Sequence, residues 1–291
     1  MATQREIKKR IQSVSSTRKI TKSMEMVSTV KMKKMQNRLL MSKPYSDKVE
    51  EIIHRLVGGG VGANIDLLRP KENPKKALIA VVAGNRGLCG GFNTSVVETA
   101  LDKKDELLAK GYTDVALYVF GKKASNYLKF LKEPIYKSGI NPEDKLSFNY
   151  CAELGHEFVD LFRAGTYDEV YLVYTQVVSS SSQRPTALKF LPVEKDGKAE
   201  EHKAVSGDYI FEPQDDEILA ELIPLYLRVR IFSSFLESGF SEQFARRIAM
   251  KNANDAAADI VRTLTVTYNR VRQAKITNEI SEIVGGAAAI E

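Results

Sequence analysis

Four glycines fall within eleven residues of this chain, in Ala83-Gly84-Asn85-Arg86-Gly87-Leu88-Cys89-Gly90-Gly91-Phe92-Asn93. An apolar run precedes them and a helical pattern follows, the place where backbone amides at a helix start can cradle a phosphate. The segment lacks the Lys-Ser/Thr ending of a phosphate loop and does not spell Gly-x-Gly-x-x-Gly. Two readings therefore stand: a nucleotide loop on a Rossmann-like enzyme, or a sharp strand-to-helix turn with close packing. Other chemistry is thin. His54, His156 and His202 are scattered without metal-ligand spacing, and no Cys/His cluster exists. Asp215-Asp216 reads as a solvated face or a helix-start acid pair. No Gly-x-Ser-x-Gly elbow is present. Cys89 and Cys151 are far apart in sequence, which argues against a disulfide framework and for a reducing compartment.

Two further segments are chemically distinctive. Near the N-terminus, Met24, Met26, Met32, Met35 and Met41 are denser than one helix face requires; they suit either adaptable seam packing or a surface that repacks against changing neighbours. Near the C-terminus, Gln273 and Thr277 stand four residues apart on one helix face beside Arg272. The tail Glu282–Ile290 is small and apolar, which an enclosed end would explain.

Charge is strongly uneven. Residues 1–43 hold twelve Lys or Arg against Glu6 and Glu25, a net of +10, so the other 248 residues sum to −4 within the total of +6. A basic end asks for an acidic partner: nucleic acid, a membrane surface or an acidic protein lining. No run of about 18 apolar residues suggests a membrane span, and residues 1–10 lack the apolar stretch of a signal peptide.

The elements that position these residues form three regions. Residues 2–56 contain no glycine, and apolar residues recur at Ile7, Ile11, Val14, Ile20, Met24, Val27, Tyr45, Val49, Ile52 and Leu56. Steps of three and four predict one long helix with a narrow apolar stripe, bent at most near Pro44; about 55 residues reach roughly 80 Å. Between Phe240 and Val284 there is neither glycine nor proline, and Met250, Ala253, Ala257, Ile260, Leu264, Thr267, Val271 and Ala274 keep the same steps. Two such helices can bury each other's stripes as an antiparallel or otherwise paired coiled coil. The middle has a different grammar. Apolar runs at Ala77–Ala83, Asp114–Phe120 and Glu169–Thr175 alternate with helical stretches at Ser95–Lys110, Lys122–Leu131 and Ser147–Ala164, and Ala187–Val193 adds a further strand. This predicts βαβ units and a mainly parallel sheet. Gly58–Gly62 and Pro70–Pro74 read as the linker into this domain, with Pro213 and Pro224 near its exit. The fold class is thus α/β: a long antiparallel coiled coil of the terminal helices plus a central Rossmann-like domain. The corresponding bounds are 1–57, 75–208 and 214–291.

Over its whole length the chain resembles the γ subunit of rotary F-type ATP synthases. The resemblance is carried by Ile20-Thr21-Lys22-Ser23-Met24-Glu25-Met26-Val27, Arg86-Gly87-Leu88-Cys89-Gly90-Gly91, Ala249-Met250-Lys251-Asn252-Ala253 and Ile280-Ser281-Glu282-Ile283-Val284-Gly285-Gly286-Ala287. It implies a non-catalytic rotor shaft that couples ion flow to conformational cycling of catalytic β subunits. The paired helices would stand in the bore of an α/β hexamer, with the lower part on the ε subunit and the membrane rotor ring. No cofactor, metal or nucleic acid is implied. The chemistry would belong to β. The setting would be the cytoplasmic face of the bacterial plasma membrane, in preference to the mitochondrial matrix side. By the same resemblance, Met24, Arg272, Gln273 and Thr277 match β-contacting positions, Arg246 and Arg247 bracket an arginine used in coupling, and Tyr209 and Glu212 match the foot near the ring and ε. Lys275 and Asn278 depart from the usual Ser and Gln. Setting Met24 level with Arg272 predicts that Ile52 approaches Phe244 and Met35 approaches Val261.

Overall fold

A computed structural model describes residues 3–58, 65–179, 182–193 and 215–288. Two helices dominate them: α1, Gln4–Gly58, of 55 residues, and α5, Asp215–Ala288, of 74. Between them come β1 (Lys76–Val82), α2 (Phe92–Ala109), β2 (Asp114–Phe120), α3 (Lys122–Phe130), β3 (Lys137–Gly139), α4 (Phe148–Arg163), β4 (Glu169–Val177) and β5 (Gln183–Leu191). The chain divides into two compact units: Val30–Ala245, and the segments before and after it.

In the Val30–Ala245 unit the sheet order is β3-β2-β1-β4-β5. β1 to β4 run parallel, and β5 returns antiparallel on β4. The pleat sorts the apolar runs onto two faces. Ile79 and Val81 of β1 join Val96, Val97 and Leu107 of α2 and Leu128 of α3 in one core. Leu78, Ala80 and Val82 face the other way, onto Cys151, Leu154 and Phe158 of α4 and Leu219, Ile223, Leu227, Ile231 and Phe235 of α5. Met35, Val49 and Ile53 of α1 enter this second core. Both sheet faces are covered, which is why the inner strands read as unbroken apolar runs. Ser147 caps α4 by accepting from the Tyr150 amide at 3.2 Å. At the start of β4, Glu169 is buried among Lys189 (2.7 Å), Tyr112 (2.6 Å) and Tyr171 (2.7 Å).

Several expectations need correction. Pro224, read as near the exit of the domain, lies inside α5, which starts at Asp215, whereas α1 runs through Pro44 as the one long helix expected. A proline inside a helix costs about 3 kcal/mol; around Pro224 the cost is offset by burial of Leu219, Ile223 and Leu227. The last strand begins at Gln183, earlier than Ala187, and ends at Leu191. β3 is an added edge strand of three residues.

The expected register is also wrong. In the Val30–Ala245 unit, Met35 lies against Gly239, Ser46 stands 3.4 Å from Ser233, and Glu50 accepts from Arg230 at 3.1 Å. Rising numbers on α1 meet falling numbers on α5, so the pair is antiparallel, but Ile52 is far along α5 from Phe244. In the terminal unit, Gln4 donates to the Tyr268 hydroxyl at 3.2 Å. Met24 lies twenty residues along α1 from that bond, and Arg272 lies four residues beyond it on the other side. At 1.5 Å per residue the two are roughly 36 Å apart along the axis.

The seam itself is displaced by one residue in places. Ile7, Ile11 and Val14 face inward as expected, but farther along the same helix Thr21 and Ser28 do, while Ile20 and Val27 are 61% and 56% exposed. On α5 the protected positions from Met250 to Val271 are Met250, Ala253, Asn254, Ala257, Ala258, Val261, Leu264, Tyr268 and Val271, whereas Ile260, Thr267 and Ala274 are exposed. The steps remain three and four, which preserves the coiled-coil period. Tyr45 is exposed beside the buried Val49 and Ile53.

Candidate functional site

The glycine-rich loop is built as a self-satisfied turn. The Gly84 amide donates to Asn93 Oδ1 at 2.9 Å, and Asn93 Nδ2 donates back to the Arg86 carbonyl at 3.2 Å. Asn85 Nδ2 donates to the Asn141 carbonyl at 2.7 Å and to Glu143 at 2.8 Å, while Asn141 Nδ2 donates to the Ala83 carbonyl at 2.8 Å. Side chains thus occupy polar groups that a phosphate loop would leave open. The space over Gly84 is filled as well: a Cβ there would lie 2.9 Å from the carboxyl carbon of Glu242. Gly84 permits close approach, and what approaches is the chain's own α5. Of the two readings the loop allowed, this geometry favours the packed turn. Leu88 at its tip has φ 62° and is 62% exposed, a strained backbone that holds an apolar side chain out to solvent.

On α5, Val271 is the last half-buried residue, and every residue from Arg272 to Gly285 is exposed. Arg272, Gln273 and Thr277 therefore sit together on a stretch with no covering neighbour among the described residues. The Thr277 hydroxyl donates to the Gln273 carbonyl at 3.0 Å. The same stretch displays Ile276, Ile280, Ile283 and Val284, with Ile283 71% exposed. Their spacing of four, three and one forms a continuous apolar stripe on one helix face. Sequence reasoning noted the small apolar tail but missed this stripe, because Ile276 and Ile280 were read only through their polar neighbours.

Met24 is half-buried, far from Arg272, and adjoins a second outward stripe of Ile20, Met26 and Val27. The basic Lys19 and Lys22 flank it, Lys22 paired with Glu25 at 3.1 Å. Met35 is buried against Gly239, whereas Met41 is exposed. Of the five methionines, then, the structure gives some to the seam and some to the surface. Arg246 is buried and Arg247 half-buried, both engaged within the fold. Tyr209 and Glu212 lie outside the described residues, as do His202 and Pro213.

Among the described residues no group of three or more His, Cys, Asp or Glu could hold a metal ion, and no helix is long and apolar enough to cross a membrane. The carboxyl of the half-buried Glu237 is raised above the usual carboxylate range by desolvation, against the opposing pull of the Val177 amide, Arg230 and Lys43. Burial also pushes the Cys151 thiol up to about 12, despite the nearby Arg38, which leaves it a poor nucleophile. What this molecule offers is two outward apolar stripes on long helices, edged by basic and polar side chains.

Comparison with known proteins agrees. The family model described as ATP synthase matches residues 3–290. An ATP synthase gamma chain of Leptospira biflexa is 42% identical over 291 residues, covering 100% of both chains. One from Saccharopolyspora erythraea is 38% identical, covering 100% of this chain and 98% of its own. Among solved structures, one from the central stalk and c-ring of the Tetrahymena thermophila mitochondrial ATP synthase has a TM-score of 0.59 at 24% identity, covering 80% of this chain and 99% of that one. One from the Euglena gracilis mitochondrial ATP synthase reaches 0.68 at 19% identity, covering 99% and 94%. These structures share the fold of this chain, two long terminal helices and a central α/β domain. With the family match and the curated relatives both running essentially end to end, this chain belongs to the ATP synthase γ-chain family.

Proposed function

We propose that the chain is the central rotor shaft of an F-type ATP synthase, turning inside a hexamer of α and β subunits and carrying no active site of its own. The observation that carries this reading is the bare end of α5: from Arg272 to Gly285 every side chain is exposed, yet the face holding Ile276, Ile280 and Ile283 is apolar. A contiguous exposed apolar stripe marks a surface that another body covers. A bore lined by other subunits would do so on all sides. Arg272, Gln273 and Thr277 then meet β, and the stripe of Ile20 and Val27 with Met24 forms a second bearing surface on the paired helices.

The basic N-terminal helix suits acidic loops of β, since opposite charge steers and registers the contact without a deep apolar interface. Arg246 and Arg247 are assigned to coupling, and Tyr209 and Glu212 to the contact with the ε subunit and the membrane rotor ring. In this reading ion flow through the ring turns the shaft, and its asymmetry drives each β subunit through its catalytic states. No cofactor is needed in the shaft. The chain would work at the cytoplasmic face of a bacterial plasma membrane, held there by its partners. The direct test is purification through a tag on this chain. Recovery of three α and three β subunits per copy supports the proposal; recovery without them overturns it.

A further inference from the structure

In open α/β sheets, ligands bind outside the carboxyl ends of the strands, where the strand order reverses. Here that point lies between β1 and β4. The crevice is filled by one turn and a half of α5. Ser238 donates to the Val82 carbonyl at the end of β1, at 3.0 Å. Ser241 donates to the Thr175 carbonyl near the end of β4, at 3.4 Å. Glu237 accepts from the Val177 amide at 2.8 Å. Glu242, itself buried, fills the space over Gly84 just beyond β1.

These contacts differ in kind from the rest of the interface. Toward its start, α5 meets the sheet through Ile223, Leu227, Ile231 and Phe235, apolar contacts that can slide. Glu237, Ser238 and Ser241 instead bond directionally to the ends of two adjacent strands, and Glu242 packs over the loop between β1 and α2. Successive helix residues are about 100° apart around the axis, so turning α5 by even one residue would break the whole set and leave buried strand-end groups unpaired. The helix is also clamped from behind. No residue from Arg230 to Ala245 is exposed, and Met35 of α1 packs against Gly239.

We infer that Glu237, Ser238, Ser241 and Glu242 form the torque joint of the molecule: a polar key on α5, seated in the switch-point crevice, that makes the α/β domain turn with the shaft helix. This rests on the rotor reading above. The crevice that serves ligand binding in related architectures serves here as the socket for a segment of the same chain.

The test compares angular stiffness in the assembled synthase. The hexamer is fixed to a surface and a bead is attached to the α/β domain through Phe130→Cys, an exposed position. Thermal fluctuation of the bead angle during catalytic pauses reports the stiffness between domain and hexamer. The triple variant E237A/S238A/S241A should at least double the angular variance, whereas E237Q alone, which keeps an acceptor for the Val177 amide, should not. In the isolated full chain the Val177 amide should exchange faster in the triple variant, with α2 amides unchanged. Where the triple variant fails to assemble, S238A and S241A singly should each raise the variance by a smaller amount. Native variance in an assembled triple variant, or in both single variants, would overturn the joint. Failure of the unmodified complex to turn the bead would instead count against the rotor reading.

Discussion

Gln4 and Tyr268 meet at 3.2 Å, side chain to side chain, across 264 residues of sequence. That bond sets the level of the terminal helix pair, and it places Arg272 past the partner helix instead of beside Met24. One heptad farther along α1 is Ile11, and one heptad back along α5 is Val261, both half-buried seam residues. Cysteines at 11 and 261 should therefore form a disulfide on mild oxidation, since seam Cα atoms approach within roughly 7 Å. Cysteines at 24 and 272 should not. Gel mobility of the oxidised chain reads both, and the opposite pattern would restore the rejected register.

Arg272 and Ile280 lie on the exposed end of α5. Arg272→Ala and Ile280→Asp should each change the stability of the isolated chain by no more than about 0.5 kcal/mol, as surface substitutions do. In the synthase both should lower ATP-driven ion pumping several-fold, Ile280→Asp because it forces a carboxylate into an apolar lining. Denaturant unfolding and pumping in vesicles measure the two effects. A large loss of chain stability from either variant would mean that this end is covered by the chain itself.

Gly121 sits between β2 and α3 with φ 119°, and a Cβ there would stand 2.5 Å from the Ala83 carbonyl oxygen. Neither the backbone angle nor the crowding by main-chain atoms can relax cheaply. Gly121→Ala should cost roughly 2 kcal/mol or more, read as a fall in urea midpoint at unchanged slope. A neutral result would show that the β1–β2 edge is looser than its bonds imply.

Asp168, just before β4, and Glu169, its first residue, are a pair of held carboxyls. Burial alone would raise Asp168, but Lys71 and the amides of Lys75 and Lys76 outweigh it, and its carboxyl titrates below the ordinary range. Burial likewise opposes the shift at Glu169, where Lys189, Tyr112 and Tyr171 prevail and the shift is again downward. A lowered folded value means that the unfolded chain takes up protons first as the pH falls. The stabilisation is therefore complete above the unfolded values of about 4 and is lost as the pH drops through the lower folded ones. The D168N/E169Q variant should be less stable at neutral pH and should lose less further stability on acidification. Thermal melts from pH 7 to pH 3 test this; parallel curves for variant and parent would refute it.

Much of this architecture was legible in the residues. β1, β2 and β4 announced themselves because both sheet faces are covered, so their apolar runs are unbroken. β3 did not, since Lys137-Ser138-Gly139 has no apolar signal and is a strand only because β2 offers it an edge. The seam of α1 was misplaced at Ile20 and Val27 for an instructive reason. An apolar residue on a helix signals contact with something, and on this helix two stripes compete, one toward α5 and one outward. Thr21 and Ser28, small enough for close helix approach, take the inward stripe. Periodicity alone cannot say which stripe belongs to the chain and which to a partner. For the same reason the register could not be carried over from the resemblance, which only assigns Met24 and Arg272 to one proposed partner: two residues can touch one partner without being level.

The central claim is that this chain turns as a body while its partners stand still. Cys89 and Cys151 are buried, so a thiol probe at Phe130→Cys, 80% exposed, labels one place on the α/β domain. With the hexamer fixed and ATP supplied, a probe there should rotate continuously in one direction, completing one revolution as each β subunit turns over once. Steady ATP hydrolysis by the same single complexes with the probe stationary would contradict the account.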